Sequence, residues 1–210
     1  MNDIARPSLA ARLRQETQDL HRAAESTGAM AALLRGQLTP PAYVGLLLNL
    51  QSIYGALEAG LARHGHVAEI DFGALARGPA LAADLHHLRP VLPAEPAGLA
   101  PATAAYVQRL ETLAAQDGQK LVAHAYVRYL GDLHGGQVLK RLVCQALGAP
   151  AAEGTRFYDF GPVERVAGLV SGFRRGLDAL PLSPDEADAF VAEARWAFQQ
   201  HVALFAQLPH

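Results

Sequence analysis

Tyr126-Val-Arg-Tyr-Leu-Gly-Asp-Leu-His-Gly-Gly-Gln-Val-Leu139 is the stretch on which the fold turns. It reads as helix on both sides, yet it carries Gly131, Gly135 and Gly136. One glycine inside a helix costs about 1 kcal/mol relative to alanine, so three cost roughly 3 kcal/mol. Glycine at such a place usually lets the backbone approach another chain segment or a ligand. Gly131 and Gly135 are one turn apart and share a face. Asp132 stands beside them, and Gly136, four residues on, leaves it uncovered. The expectation is a bendable helix with a bare patch, edged by one carboxylate, against which a flat ligand fits.

Working outward, the helix holding this stretch spans about Gln119–Leu147 and stops at Gly148-Ala-Pro150. Its length and its glycines predict a bend near the middle. Upstream, Pro101 opens a helix with Tyr106, Leu110 and Leu113 inward. Before it lie a loop with Pro90, Pro93 and Pro96 and short helical pieces over Phe72–Arg77 and Leu81–Leu88. Thr39-Pro40 is a cap and first-turn pair for a helix whose stripe runs Tyr43, Leu46, Leu47, Leu50, Tyr54, Leu57 and Leu61. Ala29–Arg35 forms a short helix. The first helix follows Pro7-Ser8 on a stripe of Leu9, Leu13, Thr17, Leu20 and Ala24, with His21 bordering its inward face. Downstream, Gly154–Pro162 is a loop with aromatic anchors, and Val163–Leu180 is helical. Ser183-Pro-Asp-Glu186 is a capping box for a last helix with Phe190, Ala194, Ala197, Phe198, His201 and Phe205 inward. No segment alternates with period two. The reading is one all-α domain, residues 1–210, of about eight helices.

Composition narrows the function classes. Of 210 residues half are hydrophobic, so a core is available, and 18 basic against 20 acidic residues give no general argument for nucleic acid or an anionic membrane as partner. No run reaches the roughly 18 apolar residues of a membrane span. The N-terminus has no apolar signal region, and Leu208-Pro-His210 carries no apolar tail. A soluble, cytoplasmic protein is expected. The single cysteine, Cys144, reads as a core thiol. Among nine histidines, neither a zincin pair nor a paired Glu-x-x-His di-iron pattern appears, and no phosphate-binding or dinucleotide loop is present. His124 reads as a packing histidine. His21 reads either as a satisfied core histidine or, opposite the bare glycine patch, as a ligand to haem iron.

The run Leu121–Lys140, with its Gly-Asp-Leu-x-Gly-Gly-Gln block, resembles the signature of the haem oxygenase family. Further blocks carry the resemblance over nearly the whole chain: Glu16–Glu25, Tyr54, Tyr106–Leu110, Phe157–Phe160, Phe173–Leu180, Glu193–Phe198 and Leu204-Phe205. It is weakest over about Gly65–Pro101.

The resemblance implies an all-α fold that sandwiches haem b between a proximal and a distal helix. It implies cleavage of haem to biliverdin, by resemblance the IX-alpha isomer, with release of carbon monoxide and iron. O₂ and electrons from a separate ferredoxin or flavoprotein reductase drive that reaction, and a phytochrome-type acceptor is a candidate destination for the product. His21 matches the proximal iron ligand, and Glu25 is placed to restrain its imidazole. Gly131 and Gly135 match the distal positions of close backbone approach. Asp132 matches the carboxylate that organises distal water, and Tyr54, Tyr106, Arg128 and His201 match members of its network. Arg14, Tyr126 and Arg174 fall where the family holds the haem propionates, a task suited to the two parallel hydrogen bonds of a guanidinium. Phe198 matches a wall aromatic. A basic reductase-docking face has Arg14, Lys140, Arg141, Arg174 and Arg175 as candidates.

Three positions depart from the family pattern. His134 stands in place of a small serine, at the rim of the bare patch. It either faces solvent, a propionate or the neighbouring helix, or it reaches distal water or the iron. His201 replaces an asparagine, and Val170 stands where a second, lysine, propionate contact is usual. The alternative to an enzyme is a haem carrier or sensor that does no chemistry, with His134 as a second axial ligand.

Overall fold

The computed structural model describes residues 7–64, 66–88, 98–148 and 153–209. The loop of Pro90, Pro93 and Pro96, the Ala149-Pro150 stop and His210 lie outside the described residues. Eleven α-helical segments make up the fold, with no strand among the described residues: α1 Leu9–Glu16, α2 Gln18–Glu25, α3 Gly28–Leu34, α4 Pro40–His64, α5 Phe72–Leu75, α6 Gly78–Leu88, α7 Pro101–Gln116, α8 Leu121–Ala125, α9 Gly131–Leu147, α10 Val163–Asp178 and α11 Pro184–Gln207. None is long and apolar enough to cross a membrane.

Local chemistry accounts for the helix ends. Ser8 Oγ accepts the Ala11 amide at 3.4 Å to start α1. Thr39 Oγ1 caps α4 through the Ala42 amide. At α11 the Ser183 hydroxyl and the Glu186 carboxylate satisfy each other's backbone amides at 3.3 and 2.8 Å, as a capping box should. Gly148 closes α9 in the left-handed region, φ 59°.

Two departures from the sequence-based expectation bear on the site. The first helix is broken at Thr17, whose backbone leaves helical geometry at φ −112°, ψ 0°. The Glu16 carbonyl there accepts a hydrogen bond from Arg195 of α11, and Thr17 returns its hydroxyl to the Leu13 carbonyl at 2.7 Å. The second departure is in the long helix. A 3₁₀ turn, Gly118–Lys120, leads into α8, and Tyr126–Leu130 then widens into a π-helical turn before α9 resumes at Gly131. The irregularity thus precedes the glycines. Such turns re-phase a helix and are common at functional sites.

Packing is organised on α4, which contacts α6, α7 and α8, and on α11, which contacts α1, α2, α3, α7 and α8. The core between them holds Leu47, Ile53, Leu57, Leu110, Leu121 and Phe190, each at most 1 % exposed. A 3₁₀ turn, Arg156–Tyr158, is pinned by buried Asp84, which accepts the Arg156 and Phe157 amides. Arg77 donates to the Asp159 carbonyl at 2.8 Å and lies over the Phe160 ring. This anchored turn is the support against which α9 rests.

Candidate functional site

A cavity of about 340 Å³ opens between α2 and the π turn with α9. From α2 it is lined by His21, Ala24 and Glu25, and from the opposite wall by Val127, Arg128, Gly131, Asp132, His134, Gly135 and Val138. Leu46 and Leu50 of α4, Phe198, His201 and Phe205 of α11, and Phe157 and Tyr158 of the anchored 3₁₀ turn also line it. A second cavity, of about 420 Å³, continues from it past His21, Gly131 and His134 to Arg14, Gln18, Tyr126 and Arg174. The result is a mostly apolar slot with a basic end.

The three glycines divide into two kinds. A Cβ added at Gly131 would meet nothing within 4 Å, and one at Gly135 would meet only Leu139, in ordinary contact at 3.7 Å. The protein's own packing does not require glycine at either position; both open onto the slot. Gly136 differs. A Cβ there would lie 2.9 Å from the Tyr158 carbonyl oxygen, so its bareness lets α9 sit against the anchored 3₁₀ turn. The expectation that Gly136 leaves Asp132 uncovered is corrected by burial, since Asp132 is only 6% exposed.

Re-phasing at the π turn sends Arg128 and Asp132 inward toward α4. Arg128 Nη2 donates to Asp132 Oδ1 at 3.0 Å, Arg128 Nε donates to the Tyr54 hydroxyl at 3.1 Å, and Tyr54 donates to Asp132 Oδ2. All three are buried. Burial pushes the Asp132 carboxyl upward, while the Arg128 charge and the Tyr54 hydroxyl hold it back. Burial also pushes Tyr54 well up, keeping it a hydroxyl donor. An ion pair this enclosed is costly to break, because either partner alone would be an uncompensated buried charge.

Tyr106 does not bond to Asp132. Its hydroxyl meets His124 Nδ1 at 3.1 Å, and His124 Nε2 meets Glu193 Oε1 at 2.9 Å. Arg109 clamps the same carboxylate, Nε to Oε1 at 3.0 Å and Nη2 to Oε2 at 2.6 Å. Burial alone would raise Glu193, but hydrogen bonds from His124 and Arg109 bring it to about 2. Burial lowers His124 below the ordinary imidazole value. The polarity of the chain follows: neutral His124 donates from Nε2 to Glu193 and accepts the Tyr106 proton at Nδ1. Sequence reading left His124 as packing and gave Glu193 and Arg109 no role. Only the pairing across α7, α8 and α11 reveals them.

His201 lies buried on the cavity wall, edge-on to Tyr106 and stacked on Phe205. Neither ring nitrogen has a hydrogen-bond partner among the described residues. Burial, then the charge of Arg128, pushes its imidazole well below the ordinary value, so it is neutral.

The α2 side is looser. His21 is half exposed, with Nδ1 3.6 Å from Glu25 Oε2, longer than a hydrogen bond. Its ring meets Phe198 edge-on at 5.9 Å. His134, on the α9 wall opposite His21, has both ring nitrogens engaged. Nδ1 lies 2.5 Å from the Leu130 carbonyl, which can only accept, so it carries the proton. Nε2 then accepts from Arg174 Nη2 at 3.4 Å. The Tyr126 hydroxyl lies 3.5 Å from Thr17 Oγ1. Among the basic residues of the expected docking face, Lys140 is tied to Asp159 at 2.7 Å and Arg175 to Ser171 at 2.7 Å. Arg14 and Arg174 line the slot's basic end.

A histidine facing a bare helical patch across an apolar slot with basic residues at one end has clear relatives. The heme oxygenase family model matches residues 7–207. The curated "Heme oxygenase 1" of a Nostoc species is 34% identical over 204 residues, covering 96% of this chain and 86% of the relative. The heme oxygenase structure from Leptospira interrogans superposes with a TM-score of 0.88 at 33% identity, covering 96% of this chain and all of that one. Heme oxygenase-2 from a Synechocystis species, solved in complex with heme and NO, superposes with a TM-score of 0.86 at 34% identity, covering 96% of this chain and 85% of that one. Sequence, fold and slot therefore agree, and this chain belongs to the haem oxygenase family, the haem-degrading enzymes that form biliverdin.

Proposed function

We propose that haem, the substrate, lies in the slot between α2 and α9 with His21 as its iron ligand. The observation that carries this reading is the pair Gly131 and Gly135, bare where the protein itself needs no bareness. Their helical cost is offset if a planar macrocycle packs against the backbone they expose. Haem supplies the iron at which dioxygen is bound and reduced.

Each remaining group has a task that its position supports. Half-exposed His21 offers Nε2, while Glu25 beside Nδ1 steadies the ring and favours a proton there. Phe198 packs against the same imidazole. Arg14, Arg174 and Tyr126 at the basic end hold the two propionates, with Arg174 steered by His134. On the distal side the backbone of Gly131 and Gly135 sets how closely the macrocycle approaches. The Tyr54–Arg128–Asp132 cluster orders water there, so that protons arrive through water and no bulky acidic side chain presses on the reacting centre. The α9 backbone at Gly131 and Gly135 limits which meso carbon the bound oxygen reaches, and by resemblance to the family that is the α position. Haem b and O₂ are the substrates, and electrons come from a separate ferredoxin or flavoprotein reductase that docks near Arg14 and Arg174. The protein works in the cytoplasm as a single domain, and its product is available to a phytochrome-type acceptor.

The carrier or sensor alternative needs His134 as a second axial ligand. In the observed conformation the proton on Nδ1 goes to Leu130 and the Nε2 lone pair faces Arg174, leaving none for iron. The test is to add haemin, O₂ and a reductant and to follow the Soret band. Its loss with growth of a biliverdin spectrum is expected; a stable six-coordinate haem that survives those conditions would overturn the enzymatic reading.

A further inference from the structure

The segment that carries His21 is held from outside, by α11. Between α1 and α2 the backbone leaves helical geometry at Thr17, φ −112°, ψ 0°. Arg195 of α11 grips both sides of that break. Its Nη1 donates to the Glu16 carbonyl before it. Nη1 and Nη2 donate to the Asp19 carboxylate after it, at 3.1 and 3.2 Å. Asp19 lies two residues before His21. Among the described residues the other polar contacts of α2 are local: His21 faces Glu25, and the Arg22 and Ala23 carbonyls accept from Ser26 and Thr27. Phe198, three residues after Arg195 and on the same face of α11, meets the His21 ring edge-on at 5.9 Å.

An exposed ion pair adds little to stability, and the Arg195 and Asp19 side chains are 37% and 64% exposed. The geometry is what distinguishes this contact. A guanidinium presents its N–H groups as a rigid planar fork, so one that serves a carbonyl and a carboxylate together fixes their relative placement. Helix α2 needs such a hold. Its buried residue is Ala24, and His21 is itself half exposed, so apolar packing sets its rotation weakly. In an unbroken helix, at about 100° per residue, His21 would point roughly 80° away from Leu13, the buried residue of α1. The break lets the two faces be set separately. α1 has its own ties: Arg12 bonds Asp188 of α11, and the Ala10 amide bonds Asp178 of α10.

We infer that Arg195 is a positioning residue for the iron ligand: by clamping the Thr17 break and Asp19 to α11, it sets the orientation in which α2 presents His21 to the slot. Arg195 lines neither cavity and acts through the backbone of α2. It and Phe198 divide the task, the first aiming the helix and the second bearing on the ring. The inference rests on the reading that His21 binds haem iron, because a metal ligand must keep its lone pair directed at the metal.

Three variants test the inference: Arg195→Gln, Arg195→Lys and, as a control, Arg12→Gln, which removes the other guanidinium link to α11. In the haem-free protein, Arg195→Gln is expected to speed amide exchange over Gln18–Glu25 while α4 exchanges as in the wild type. In the ferrous haem complex, its iron–histidine stretching band in resonance Raman is expected to shift or broaden. Haem is expected to dissociate about tenfold faster. Arg195→Lys, which keeps the charge and loses the fork, is expected to fall between Arg195→Gln and the wild type. Arg12→Gln is expected to keep the wild-type band and dissociation rate. If Arg195→Gln lowers the melting temperature but leaves the band and haem dissociation unchanged, the contact only adds stability and the inference is overturned. An equal shift in Arg12→Gln would overturn it too. A failure of the haem reading looks different: the wild type then gives no iron–histidine band, or His21→Ala keeps it.

Discussion

The two walls of the slot are built in opposite ways. On the α2 wall His21, the proposed iron ligand, is half exposed, and its carboxylate neighbour stands at 3.6 Å. On the α9 wall Arg128, Asp132 and Tyr54 are buried and bonded to one another. Binding iron needs only one lone pair at one place, and a half-free imidazole can adjust to the metal. Guiding protons needs donors and acceptors fixed before the reaction starts, since reorganising them later would cost rate. One wall tolerates looseness; the other is held by the core.

The largest expected effect is on the loose wall. His21→Ala should leave the fold intact, as expected for a half-exposed residue, yet bring turnover to background, with recovery on adding free imidazole. Haem loss measured with and without imidazole checks it; turnover at the wild-type rate would break the comparison. On the tight wall, Asp132→Ala should cost about 3–5 kcal/mol, since Arg128 is left as an unpaired buried charge. Denaturant unfolding measures that loss, and biliverdin yield should fall with it.

The glycines sharpen the contrast. Gly136→Ala should destabilise by about 1–3 kcal/mol, the range for overpacking, because its Cβ would press on the Tyr158 carbonyl. Gly131→Ala should act in the opposite sense, stabilising the haem-free protein by about 1 kcal/mol while weakening haem binding by spectral titration. Equal effects at the two positions would show that they do not play different parts.

The smallest effect is acid lability. Glu193 has a folded value of about 2, depressed from 4.5, so its contribution to stability is present above about pH 4.5 and lost as pH falls toward about 2. His124 and His201 are also depressed, below 6.5. They remain neutral in the fold while the unfolded chain takes up protons, so loss begins as pH falls through about 6.5. His201→Leu should flatten the upper part of that decline in a series of unfolding curves.

Much of this was legible in the chain. The capping box at Ser183, the Thr39 cap and the apolar stripes are local signals, and the structure contains those helices. The spacing of Gly131 and Gly135 marked one face of one helix. What could not be read has a common feature, which is dependence on a distant partner. The break at Thr17 involves Arg195, whose guanidinium takes the Glu16 carbonyl from 179 positions away. Glu193 looked like one acidic residue among many until α8 and α7 brought His124 and Arg109 to it. The π turn before Gly131 leaves no mark in a helical periodicity.

The sequence by itself determined an all-α chain, a bare stretch within its long helix, and a histidine on an inward-bordering face, because these follow from propensity and spacing along one strand of covalent bonds. Only the tertiary structure decided that Gly131 and Gly135 open onto a cavity while Gly136 meets a carbonyl, and that His201 is left without a partner among the described residues. Those distinctions depend on what stands opposite each residue, and that is set when helices distant in sequence pack together.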